Sequence, residues 1–144
     1  MRTTPARTRA VWTRITELLK PKTWLRTPGR GIPPKRQAKF LVESVTSNAV
    51  TILIGGSRTR NRLPATVFNA VVSALDSSRL LRIAAVHNTV PTPNSVDEVV
   101  RTASGKQRAI GNYVAAILEH VGIVEYVMVK GQKSMQKHVV LRKD

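Results

Sequence analysis

Residues 95–121, SVDEVVRTASGKQRAIGNYVAAILEHV, decide how the rest of the chain is read. Ser95 followed by Glu98 forms a capping box, in which the serine hydroxyl accepts from the Glu98 amide while the Glu98 carboxylate reaches back. Asp97 and Glu98 also lie where the positive end of a helix dipole favours carboxylates. Val96, Val99, Val100 and Ala103 recur at i, i+3, i+4 and i+7, the spacing of one helical face. Ser104 and Gly105 interrupt that pattern. A second helix is expected over 107–121, with Ile110, Val114, Ile117, Leu118 and Val121 inward and Gly122 as its stop.

Working outward, 123–129 and 135–141 read as strands joined through the glycine-containing connection 130–134. Upstream, 79–90 reads as a strand that ends at Pro91 and Pro93. Pro64 suits the first turn of a helix running to about Ser77, whose Val67, Phe68, Val71, Val72 and Leu75 form an apolar stripe. Before it, Phe40, Val42 and Val45, then Val50, Ile52 and Ile54, flank Thr46-Ser47-Asn48 as a β-hairpin over 39–54. Arg58, Arg60 and Arg62 follow at every second position, on one side of an extended segment. They read equally as a solvated basic loop or a phosphate-binding strip.

The chain has 144 residues, 24 Lys and Arg against 8 Asp and Glu, and a formal charge of +16. Such an excess calls for a polyanionic partner. The charge is densest over residues 1–39, where 11 basic residues face one acid, Glu17. Within that stretch Val11, Trp12, Ile15, Leu18 and Leu19 fall at helical spacing up to Pro21. The proline- and glycine-rich segment 21–37 reads as an extended linker. The expected organisation is therefore a basic arm, 1–38, with Arg26, Arg30, Lys35 and Arg36 as phosphate contacts, and a folded domain, 39–144. Trp12 and Trp24 in the arm are suited either to stacking on unpaired bases or to anchoring the arm on its own domain or on a protein partner.

From Pro64 onward the order helix, strand, helix, turn, helix, strand, loop, strand resembles the winged-helix superfamily over residues 64–142. The resemblance implies an α+β fold: a winged-helix-like domain with an additional N-terminal β-hairpin and a basic, partly extended N-terminal arm. It also implies a helix-turn-helix over 95–121 and a wing tip at 130–134. With the apolar residues of the second helix turned inward, Arg108, Asn112 and Ala115 fall on the outward side. Arginine can read guanine and asparagine adenine at major-groove edges. Lys106 and Gln107 stand at the helix start, where recognition helices meet the groove. Lys130, Lys133 and Lys137, on and beside the wing, suit phosphate contacts.

With no cysteine, disulfides, thiolate metal sites and a cysteine nucleophile are excluded. His87, His120 and His138 lack a metal-ligand spacing, and Gly55-Gly56-Ser57 lacks the Gly-Lys-Ser/Thr ending of a P-loop. No catalytic constellation, cofactor or metal is expected, and no apolar run is long enough to span a bilayer. The expected function is binding of double-stranded DNA in a regulatory or architectural role. The alternatives are an RNA-binding structural component of a large ribonucleoprotein and a winged-helix adaptor that binds protein. A homodimer is left open. The expected location is intracellular, in cytoplasm or nucleoid, with organelle targeting as the other reading of the basic N-terminus.

Overall fold

The computed structural model describes residues 5–28, 38–55, 58–78, 80–83, 93–105, 110–130 and 135–142. Helix α1 (Pro5–Leu18) leads into four strands, β1 (Thr23–Arg26), β2 (Lys39–Val45), β3 (Ala49–Ile54) and β4 (Arg60–Pro64). Helix α2 (Ala65–Ser78) and the short β5 (Leu81–Arg82) follow, then α3 (Val96–Ser104) and α4 (Gly111–His120). The described chain closes with β6 (Val124–Lys130) and β7 (Met135–Leu141). The fold is mixed α+β. One antiparallel sheet has the order β1-β2-β3-β4 and a second the order β5-β7-β6.

Local chemistry explains the helix boundaries. The Ser95 hydroxyl accepts from the Glu98 amide at 3.0 Å, and the Glu98 carboxylate accepts from the Asn94 amide at 3.0 Å. Two amides at the start of α3 are thereby satisfied. Gly105 ends the helix with φ of 70°, a left-handed conformation that glycine adopts without side-chain strain, and its N–H donates to the Arg101 carbonyl. The buried face of α3 is rotated from the expected one. Val96 and Val100 are buried together with Asp97 and Arg101, while Ala103 is exposed. Asp97 and Arg101, four residues apart, meet through two contacts of 3.0 Å, Nε to Oδ1 and Nη2 to Oδ2. One hydrogen bond, from Nε, and a second close charge contact let the two charges enter the helix interface.

One cluster of buried side chains joins the elements. Val11, Ile15 and Leu19 meet Phe40, Val42, Val50, Ile52 and Leu63 from the inner face of the four-stranded sheet, along with the apolar stripe of α2 and the body of α4. The expectation of a separate arm is corrected here. Helix α1 packs on α2, the Trp12 indole donates to the Ser47 carbonyl at 2.8 Å, and Arg14 Nε donates to the Val121 carbonyl at 2.7 Å. The expected linker over 21–37 is also corrected at its start. Thr23–Arg26 pair with β2, and the Thr27 hydroxyl accepts from the Ala38 amide at 2.7 Å. Proline and glycine content argues against burial, but it does not register that a neighbouring strand offers backbone partners. Residues 84–90 of the expected strand over 79–90 lie outside the described residues.

Candidate nucleic-acid interface

The register of the four-stranded sheet determines which side chains share its outer face. Residues directly opposite in an antiparallel ladder lie on the same side. Trp24 pairs with Leu41, Leu41 with Leu53 and Leu53 with Arg60, so one row crosses all four strands. Three inter-strand steps give that row a span of about 14 Å. Beside it Arg26 pairs with Lys39, and on the other side Thr51 pairs with Arg62. Phe40, Val42, Val50, Ile52 and Leu63 occupy the opposite face and are buried, which fixes the outer set by alternation.

Arg26, Lys39, Arg60 and Arg62 are all exposed. Among the residues of these four strands Glu43 is the one acid. A register shift between Val42 and Ser44 makes Glu43 the extra residue of a bulge, and its carboxylate accepts from Arg60 Nε at 2.7 Å. The hydrogen bond and charge of Glu43 hold the Arg60 guanidinium even further above its ordinary value. An exposed pair like this contributes little to stability, so its effect is to orient the guanidinium on the face. Arg58, also exposed, has a left-handed φ of 54° in the turn before β4.

Comparison with protein-family models, curated proteins and solved structures gave no match. The chemistry of the face therefore rests on its own residues. Trp24 is 52% exposed, in contrast to Trp12, which donates to Ser47 and lies 5.8 Å from the Phe68 ring. The Lys39 ammonium stands 5.4 Å from the centroid of the Trp24 ring, within the reach of a cation–π contact.

The residues expected to read base edges on the second helix are placed differently. Asn112 is buried at 6% exposure and Ala115 at 1%, which overturns their outward assignment. All of α4 from Gly111 to Leu118 is buried. The helix is enclosed by α3, β6, β1 and α2; Gly111, one turn from Ala115, lies against the Asp97 backbone of α3, and Tyr113 meets Phe40 edge-on at 5.1 Å. Lys106, Gln107 and Arg108 lie outside the described residues, as do Arg30, Lys35, Arg36 and Lys133. Lys130 is exposed at the end of β6. Lys137 is half-buried on β7, with its ammonium 5.5 Å from the Tyr126 ring, and burial pulls its pKa down.

Lys39 was missed by sequence reasoning. Its position at the start of an alternating strand was visible, but not its pairing with Arg26. Among the described residues no group of three or more metal-ligating side chains comes together, and no helix is long and apolar enough to cross a membrane.

Proposed function

We propose that this chain is a non-catalytic nucleic-acid-binding protein that meets its polyanion on the outer face of the four-stranded sheet. The observation that carries the reading is the convergence of Arg26, Lys39, Arg60 and Arg62, from three strands, on one exposed face of a chain with a formal charge of +16. Cations held in register on a rigid sheet suit a phosphate backbone better than cations scattered over loops.

The test is fluorescence anisotropy with labelled duplex DNA, single-stranded DNA and structured RNA at several salt concentrations. Replacing the four cations with alanine is expected to weaken binding and reduce the log–log salt slope by up to about 3–4, since each phosphate contact contributes about 0.7–0.9. Failure of the wild-type protein to bind any of these at low salt, or unchanged binding by the quadruple variant, refutes the reading. Preference for structured RNA would favour the ribonucleoprotein role.

A second reading is favoured by the topology from α2 onward. The order α2, β5, α3, α4, β6, β7 with a β5-β7-β6 sheet supports the winged-helix resemblance, with Lys130 at the base of the wing. In this reading duplex DNA is met by the segment holding Lys106, Gln107 and Arg108 and by the wing, without Asn112 or Ala115. A duplex-specific loss of affinity in Arg108→Ala and Lys130→Ala, with single-strand binding retained, would select it over the sheet face.

A further inference from the structure

We infer that the outer face of the four-stranded sheet is built for unpaired nucleotides, with Trp24 as the stacking platform. This rests on the sheet-face reading above and names its ligand class. Single exposed hydrophobic residues are common on proteins and carry no meaning by themselves. What sets Trp24 apart is its setting. The residue is 52% exposed on β1 and is followed in its row by the partly exposed Leu41 and Leu53. Cations stand on both sides: Arg26 and Lys39 at one end, Arg60 and Arg62 across the sheet.

An aromatic ring beside an apolar floor, bordered by guanidinium and ammonium groups, matches the two chemistries of a single strand. Bases offer π faces and the backbone offers phosphates. In a duplex the base faces are already stacked on one another, so a flat sheet meets only phosphate and sugar. Only unpaired bases can use the indole. Lys39, now lying over the Trp24 ring, is no obstacle. A base arriving on the ring displaces a solvated lysine head, which is then placed for the adjoining phosphate. The same ligand chemistry is offered by single-stranded DNA and RNA.

The experiment uses the full chain and three fluorescein-labelled probes: a 12-nucleotide mixed-sequence DNA strand, its RNA counterpart, and the corresponding DNA duplex. Trp24→Ala is expected to weaken single-strand binding about 5- to 150-fold, leaving duplex binding and the salt slope unchanged because no phosphate contact is lost. Trp24→Phe, which keeps a stacking ring, is expected to recover most of the affinity. Tryptophan emission should be quenched by the single strands in the wild type and far less in Trp24→Phe. Circular dichroism identical to wild type confirms that each variant is folded, as expected for a half-exposed edge-strand residue.

Single-strand binding unchanged in Trp24→Ala, or an equal loss toward strand and duplex, overturns the inference. If that happens while the quadruple cation variant still loses binding, the sheet face remains the interface and only stacking is rejected. If the wild type binds none of the probes, both fall. The DNA and RNA arms identify which backbone the face prefers.

Discussion

Gly111→Ala is expected to destabilise the fold although alanine is the better helix former. A Cβ built on Gly111 would lie 2.6 Å from the Asp97 Cα, 2.8 Å from the Asp97 nitrogen and 3.1 Å from the Val96 carbonyl carbon. Carbon atoms rest at about 3.5–4.0 Å, so α3 and α4 would have to part by roughly 1 Å. The obstacles are backbone atoms and cannot rotate aside. Overpacking of this kind costs about 1–3 kcal/mol, and rigid backbone places the cost at the upper end. Gly111 does not have a positive φ, so alanine fits its conformation and regains up to about 1 kcal/mol of helix preference.

The net loss expected is about 2 kcal/mol, or roughly 4–8 °C in Tm for a chain of this size. Urea denaturation should show a lower midpoint at constant slope. Parting the helices would also admit water to the Asp97–Arg101 pair, so amide and guanidinium resonances near it should shift. A midpoint at or above wild type would refute the close-approach argument.

At the buried ion pair, Asp97→Leu alone is expected to cost about 3–5 kcal/mol, because Arg101 keeps its charge and loses every acceptor this side chain offers, while Asp97→Leu with Arg101→Met should be near neutral or stabilising. Burial raises the Asp97 pKa above its usual 3.8 despite the opposing hydrogen bond and charge of Arg101. The corresponding stability is fully present below the unfolded value and lost as pH rises through the folded one. The double variant should therefore gain on the wild type as pH rises through that window, read by denaturation midpoints at each pH. Ile15→Ala, at a fully buried position on α1, is expected to cost about 2–5 kcal/mol by urea denaturation. A cost under about 0.5 kcal/mol would show that α1 is detachable from the core.

Much of the secondary structure was legible because it is governed by neighbours in sequence. The Ser95 cap, the stop at Gly105 and the apolar stripe of α2 each depend on groups within a few residues, and each is found where the spacing places it. The alternation of Arg60 and Arg62 marks them as sharing a side of a strand for the same reason. The candidate interface was less legible. Arg26 and Lys39 become neighbours only through a pairing across 13 positions, and Trp24 joins Arg60 only through two intervening strands. No local period encodes such a relation.

The amino-acid sequence by itself determined an α+β chain with an aliphatic core, the helices α3 and α4, and a formal charge of +16. Tertiary structure alone decided which surfaces remain exposed. Asn112 and Ala115 look outward when α4 is considered in isolation, because helical periodicity reports one apolar face and is silent on a second covering layer. Contacts with α2, α3, β6 and the β1 edge of the four-stranded sheet enclose the helix, and its apparent polar side is buried. The same packing turns the other face of the sheet to solvent, where register alone gathers Trp24 and four cations.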